Sequence, residues 1–156
     1  MMILRLIGCI MLCELAGVIG SLATSSAIPT WYAQLKKPAF TPPGWIFGPV
    51  WITLYAMMGI ALFLIWQKGS AKPGVKSAII VFMIQLILNA TWSLIFFGMK
   101  APLAAFFEIV VLWIGIVVTT FLFMRISIPA GILLIPYLLW VSFASVLNLS
   151  IALLNR

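Results

Sequence analysis

Five long runs of apolar residues, almost free of charge, constrain this chain more than any other feature. No charged residue falls between Lys37 and Lys68, or between Lys76 and Lys100. The whole chain of 156 residues is 65% hydrophobic and only 7% charged, whereas a soluble domain carries about 25% charged residues. A surface so poor in charge must face lipid rather than water, so the chain is predicted to be a multi-pass membrane protein.

A transmembrane helix needs about 20 predominantly apolar residues, and five segments meet that length. We predict spans at residues 6–27, 46–66, 77–99, 101–124 and 129–153. The predicted fold class is all-α, with a single five-helix transmembrane domain over residues 1–156. An alternative for the first segment is a cleaved signal peptide, because Arg5 precedes it and the small residues 25–27 resemble a cleavage site. The run is longer than the apolar core of a signal peptide and contains Glu14, so we interpret it as a helix.

The connection predicted at residues 28–45 differs from the other three, which are short polar turns. It contains Trp31, Tyr32, Pro38, Pro42 and Pro43, among other prolines and aromatic residues. Prolines fix φ near −65° and reduce the entropy lost on ordering, while Trp and Tyr favour the membrane interface. We therefore predict an ordered loop that acts as a lid on the helix bundle.

The positive charge of the chain is placed where a membrane protein places it. Nine Lys and Arg oppose two Glu, for a net charge of +7. The cations stand at the ends of apolar runs, next to lipid head groups, rather than on one face that could bind nucleic acid. We expect no nucleic-acid partner. Five cations (Arg5, Lys68, Lys72, Lys76, Arg125) fall on one side of the predicted membrane and four on the other, which does not decide the orientation.

Side chains for hydrolytic, zinc or thiol chemistry are scarce. The chain has no His, which removes imidazole as a metal ligand and proton shuttle. Cys9 and Cys13 are four residues apart on one predicted helix, about 5–6 Å between Cβ atoms, which exceeds the separation that a disulfide tolerates. We interpret them as small buried hydrophobic residues, with a reactive pair as the alternative, and predict no metal site and no resident cofactor.

Polar and aromatic residues recur on one face of three predicted spans. In the third span this face carries Gln85, Asn89, Trp92 and Phe96, at helical spacing. The second span carries Phe47, Trp51, Tyr55 and Met58, and the fifth carries Tyr137, Trp140, Ala144, Leu147 and Asn148, with Ser145 beside them. Intramembrane polar groups should face the bundle interior. These stripes are either helix–helix contacts or, taken together with the lid, the apolar walls and placed polar groups of a ligand site.

Two kinds of residue inside the spans leave further alternatives open. Glu14 and Glu108 are intramembrane carboxyl groups, which are often functional. Without an intramembrane cation we favour a protonated or cross-helix hydrogen-bonded carboxyl over a proton relay. Small residues four apart, Gly17 with Ser21 and Ala101 with Ala105, permit close helix approach either within the bundle or in a homodimer.

On its motifs the chain resembles the translocator protein family, whose members are also called tryptophan-rich sensory proteins or peripheral benzodiazepine receptors. The matching residues lie in the lid and in the second, third and fifth spans. They are Trp31-Tyr32, Leu35-Lys36-Lys37-Pro38, Phe40, Pro42-Pro43, Phe47-Gly48-Pro49-Val50-Trp51, Leu54-Tyr55, Met58-Gly59, Gln85, Leu88-Asn89, Trp92-Ser93, Phe96-Phe97-Gly98, Pro136-Tyr137, Trp140, Phe143-Ala144 and Leu147-Asn148.

The resemblance implies five membrane helices, usually in a homodimer, with a pocket closed by the first loop. Its implied ligands are porphyrins such as protoporphyrin IX, and isoquinoline carboxamide or benzodiazepine compounds. By position the resemblance marks Tyr32, Pro42, Trp51, Asn89, Trp140 and Ala144 as pocket residues, and the stripes add Phe47, Tyr55, Trp92, Ser145 and Asn148 to the predicted ligand-binding set. Animal members also bind cholesterol, but none of the three tyrosines has the Leu/Val and Lys/Arg neighbours of the proposed cholesterol motif.

Three functions follow as hypotheses, with a bacterial cell membrane as the expected location. The first is a porphyrin-binding sensor, in which Trp51 and Trp140 are candidate catalytic residues if bound porphyrin is degraded under light and oxygen. The second is a transporter of porphyrin or another lipophilic molecule. The third is a regulatory membrane scaffold. The chain shows no inverted repeat of the kind typical of alternating-access transporters.

Overall fold

The structure is a computed structural model that describes residues 2–156, and all regular structure within that range is helical. The α-helices are α1 (Met2–Ala27), α2 (Gly44–Trp66), α3 (Val75–Ser93), α4 (Pro102–Ile126), α5 (Ile128–Ile132) and α6 (Ile135–Leu154). Five helical segments are long and apolar enough to cross a membrane, with α5 and α6 together forming the fifth. The predicted all-α, five-span fold class is confirmed.

The helix boundaries differ from the predicted ones mainly at the lid. A π-helical turn, Ile28–Tyr32, continues α1 past the predicted end of the first span, and α2 begins at Gly44. Pro29 stands at the start of the π-helical turn, and because proline has no N–H to donate, the α-helical hydrogen-bond ladder cannot pass through it unchanged. The irregular part of the lid is therefore shorter than residues 28–45, and Trp31 and Tyr32 project from a helix.

The fifth span is divided into two helices. A turn at Leu133 and Leu134 separates α5 from α6, and each helix has a proline in its first turn, where a missing N–H costs nothing. Gly131 lies directly against the backbone of Met124, since a Cβ at Gly131 would meet the Met124 nitrogen at 2.9 Å. The chain thus reverses tightly from α4 into α5.

Glycines set the closest helix contacts in the bundle. A Cβ built on Gly59 of α2 would lie 2.5 Å from the Ile10 Cα of α1, and one on Gly17 of α1 would lie 2.5 Å from the Tyr55 ring. Between α3 and α4, Gly115 faces the Cβ of Gln85. These contacts lie within one chain, so the small-residue position Gly17 serves internal packing.

Candidate ligand site beneath the lid

A chain of buried hydrogen bonds joins three helices at the centre of the bundle. The Tyr55 hydroxyl on α2 donates to Asn89 Oδ1 on α3. The Asn89 amide donates to the Tyr137 hydroxyl on α6 at 2.9 Å, and that hydroxyl donates to Gln85 Oε1 at 2.9 Å. All four side chains are buried. The predicted inward orientation of Gln85 and Asn89 is confirmed, and these amides each connect to a tyrosine of another helix.

Trp51 covers this hydrogen-bonded centre on the side of the lid. Its ring stacks on Tyr55, with ring centroids 5.4 Å apart, and meets Tyr137 edge-on at 6.2 Å. Because both tyrosine hydroxyls are held by Asn89, the network fixes the surface on which the indole rests. Through Trp51, the stripe predicted on the second span thus contacts the fifth span.

A second set of rings lies one helical turn nearer the lid. Phe47 meets Trp140 edge-on at 5.8 Å, Trp140 lies 5.6 Å from Phe143, and Phe40 of the lid meets Phe143 at 6.3 Å. The lid therefore contacts α6 directly through an aromatic side chain. The Trp140 indole nitrogen is buried and has no hydrogen-bond partner within residues 2–156, so the described contacts leave this donor unsatisfied.

A third set of rings closes the site on the side of α3. Tyr32 packs against Phe96 and Phe97 at 6.2 and 5.6 Å, and Trp92 stacks on Phe96 at 5.1 Å. The Trp92 indole donates to Asn148 Oδ1 at 3.0 Å. The Asn148 amide donates in turn to the Pro102 carbonyl at 2.7 Å. These bonds join α3, α6 and the start of α4 at the membrane end that carries the lid.

The lid is held in place by the C-terminal end of α6. The Lys36 backbone N–H donates to Asn155 Oδ1 at 2.9 Å, and the Asn155 amide donates to the Lys36 carbonyl at 2.9 Å. One side chain thus satisfies both backbone groups of a lid residue, as the neighbouring strand of a sheet would. Periodicity could not identify this contact, because Asn155 lies beyond the predicted fifth span and its partner is backbone.

We expect replacement of Asn155 by leucine to loosen the lid without unfolding the bundle. Three hydrogen bonds are lost, two to the Lys36 backbone and one to the Ile151 carbonyl, each worth about 0.5–1.5 kcal/mol, and none of the core side chains is touched. Hydrogen exchange should show about tenfold less protection of the Lys36 amide. The adjacent variant Arg156→Gln is the matched control, and equal protection in both variants would contradict the assigned role of Asn155.

Glu108 is a half-buried residue of α4 whose two carboxyl oxygens are buried. Neither of its carboxylate oxygens has a hydrogen-bond partner within residues 2–156, so the cross-helix hydrogen bond considered for it is absent from the described contacts. It shares its helix face with the buried residues Ala105 and Leu112. The amide nitrogen of Gln85, a member of the hydrogen-bonded centre, is likewise buried and has no hydrogen-bond partner among the described residues. The interior therefore contains polar atoms that have no hydrogen-bond partner among the described residues.

Most, though not all, of the predicted ligand-binding residues lie around these rings. Ala144 is half-buried against the core that contains Trp51 and Trp140, and Pro42 is half-buried in the lid. Ser145 instead lines a groove between α4 and α6 on the lipid-facing side, with Trp113 and Ser142, and its hydroxyl bonds to its own helix at Val141. Its place one residue after Ala144 turns it about 100° around the helix, away from the aromatic rings.

The chain is similar to known proteins over nearly its whole length. A family model described as the TspO/MBR family matches residues 9–154. The chain is 49% identical over 153 residues to the tryptophan-rich protein TspO of Chlorobaculum tepidum, covering 98% of this chain and 97% of that protein. It is 43% identical over 155 residues to the tryptophan-rich protein TspO of Archaeoglobus fulgidus, covering 99% of each. Identity to the translocator protein of Homo sapiens is 37% over 119 residues, or 76% of this chain and 70% of that protein.

The family model extends from the first helix to the end of the last, a range that includes the lid, the hydrogen-bonded centre and every ring described above. The resemblance stated from the motifs is confirmed, and the chain belongs to the TspO/MBR family.

Proposed function

We propose that this protein is a membrane sensor that binds a porphyrin, or a similarly flat apolar molecule, between the lid and the hydrogen-bonded centre. The observation that supports this proposal best is the layer of half-buried rings, Trp51, Phe47 and Trp140, between the lid and the hydrogen-bonded centre. Indole faces suit the face of a tetrapyrrole. Few other side chains could recognise such a ligand in a chain without His.

Binding would require the rings to separate. Their centroids lie 5.4–6.2 Å apart at Trp51, whereas a planar molecule stacked between two rings needs about 7 Å between them, twice a van der Waals contact. Changes of side-chain rotamer on binding are common. The rings nearest the lid can turn without breaking a side-chain hydrogen bond of their own, since the Trp140 nitrogen has no partner among the described residues.

The lid offers charge for the edge of a porphyrin. A tetrapyrrole such as protoporphyrin IX carries two carboxylates on one edge, and Lys36 and Lys37 stand in the lid. The Lys37 ammonium lies 4.7 Å from the centroid of the Tyr32 ring, which places a cation beside the aromatic wall. The carboxylate edge would then face the lid and the apolar edge would face the bundle.

Light-driven degradation is a further part of this proposal. An electron-rich indole in contact with an excited porphyrin can transfer one electron to it without a general base, which leaves an indole radical cation and a porphyrin radical anion. Oxygen would then add to the radical anion, and return of the electron to the indole would leave an oxygenated macrocycle and a restored indole. Trp51 and Trp140 are the indoles that a ligand beneath the lid would touch first, which makes them the candidate catalytic residues. Their alternative role is as walls of the pocket.

We expect protoporphyrin IX to bind saturably to the detergent-purified protein, measured by Trp fluorescence and porphyrin absorbance. Trp51→Phe and Trp140→Phe should each weaken binding about two- to twelvefold, because a ring–ring contact is worth about 0.5–1.5 kcal/mol. The matched control is Trp113→Phe, since Trp113 lies in the lipid-facing groove. Weakening by all three variants alike would contradict the assigned site.

The same samples, illuminated with and without oxygen, distinguish catalytic tryptophans from tryptophans that only line the pocket. Loss of porphyrin faster than that of free porphyrin, abolished in Trp51→Phe or Trp140→Phe at saturating ligand, would establish degradation by these residues. Binding without excess loss would leave a sensor or carrier, and ligand flux into proteoliposomes would then identify a carrier. Failure of porphyrin to bind saturably would overturn the proposal.

A further inference from the structure

A cleft of about 690 Å³ opens at the end of the bundle opposite the lid. Its walls come from the turn after α2 and from the junction of α4 with α5, and its polar groups include Gln67, Lys68, Arg125 and Ser127. Since α2 has 23 residues, and a helix rises about 1.5 Å per residue, the cleft lies about 35 Å from the lid. It is separate from the site proposed for porphyrin.

The cleft lies in the most positive part of the molecule. Its end of the bundle carries Arg5, Lys68, Lys72, Lys76 and Arg125, while the two acidic side chains, Glu14 and Glu108, lie inside membrane-spanning helices. Lys68 and Arg125 each offset the dipole of a helix C-terminus. Helix dipoles do not explain all five cations at this end. The helices α1 and α3 begin here, and their positive dipole ends balance the negative ends of α2 and α4.

The two walls of the cleft are held together by a cation that does not line it. The Lys72 ammonium donates to the Ile126 carbonyl at the end of α4, at 3.5 Å, which bridges the α2–α3 turn to the α4–α5 junction. Lys68 and Arg125 line the two segments that this contact connects.

The level of the cleft matches lipid head groups. Trp66 at the end of α2 is 47% exposed, and the Arg5 guanidinium lies 5.5 Å from its ring centroid. Such Trp and Arg side chains mark the membrane interface. The apolar residues Leu64, Met124 and Ile128 also line the cleft, so its surface passes from cationic to apolar.

We propose that this cleft binds an anionic phospholipid, with the head-group phosphate between Lys68 and Arg125 and the acyl chains along the apolar wall. The Ser127 hydroxyl and the Gln67 amide can donate to the remaining phosphate oxygens. A soluble phosphate would satisfy the cations but not the apolar wall. A zwitterionic lipid would bring its own ammonium group into a region that already repels it.

The test is native mass spectrometry of the full chain in a non-ionic detergent, with phosphatidylglycerol and phosphatidylcholine of identical acyl chains. We expect one phosphatidylglycerol to be retained with at least about tenfold preference, because two cations near the head group attract an anionic lipid. The double variant Lys68→Gln with Arg125→Gln should lose that preference. The control, Lys100→Gln with Arg156→Gln, removes the same charge from positions outside the cleft and should keep it.

Three further results test the proposed phospholipid site. Arg125→Lys keeps the charge and should keep most of the preference, which separates a loss of binding from a folding defect. Equal preference in the wild type and in Lys68→Gln with Arg125→Gln would overturn the proposal. Complete displacement of the lipid by inorganic phosphate would also overturn it, because the site would then be one for a soluble anion.

Discussion

Replacing Gly59 by alanine is expected to lower the free energy of unfolding by about 3 kcal/mol, at the upper end of the usual cost of overpacking. The added methyl group would stand 2.5 Å from the Ile10 Cα and 2.8 Å from its nitrogen. Both atoms are backbone, so no rotamer change can relieve the clash and α1 must move away from α2. That movement would also loosen the contact between Gly17 and Tyr55, and with it one end of the hydrogen-bonded centre.

The control for this prediction is Gly8→Ala. Gly8 lies on the same α1 helix, but a Cβ there would meet nothing within 4 Å, so the variant should be neutral or slightly more stable because alanine favours helix. SDS-induced unfolding in mixed micelles measures both variants. Equal stability of Gly59→Ala and Gly8→Ala would show that α1 and α2 are less closely packed than described.

Asn89→Ala is expected to have the second-largest effect, about 2–3 kcal/mol of unfolding free energy together with weaker ligand binding. The Tyr55 hydroxyl would lose its acceptor and the Tyr137 hydroxyl its donor. A buried polar group without a partner costs about 1–3 kcal/mol, although in membrane proteins the net loss per bond is often smaller. Because Trp51 stacks on Tyr55, release of that ring should also lower the affinity for protoporphyrin IX.

The matched control is Thr91→Ala, two residues along α3. The Thr91 hydroxyl bonds only to its own helix at Ile87, at 2.9 Å, so its removal should change neither stability nor binding appreciably. SDS unfolding and the porphyrin titration, run on both variants, measure the two effects. If Asn89→Ala were as stable as Thr91→Ala, the three-helix network would not be a stabilising element.

The number of helices and the inward face of α3 could be predicted because each depends on local pattern. Lipid leaves no partner for exposed backbone, so any apolar run of sufficient length must be helical. The same solvent drives amides such as Gln85 and Asn89 inwards, and helical spacing then identifies which face they occupy. Both predictions depend only on the sequence of each segment and on the lipid around it.

Contacts between distant segments were beyond such reasoning. The pairing of Asn89 with two tyrosines depends on the rotation and depth of three helices, and the bond between Asn155 and Lys36 joins positions 119 residues apart. Ser145 is the clearest example of a position that sequence reasoning could not place. It follows Ala144 by one residue, yet it lines the lipid-facing groove and not the aromatic layer.

The periodicity of the chain thus decided that it crosses the membrane five times and which residues turn inwards, since the hydrophobic effect and the helical repeat act on each segment alone. Only the tertiary structure decided which inward residues meet, where glycines bring helices together, how the lid is held, and that Lys68 and Arg125 line one cleft. The physical reason is that hydrogen bonds, close packing and electrostatic fields depend on distances between segments, which no single segment specifies.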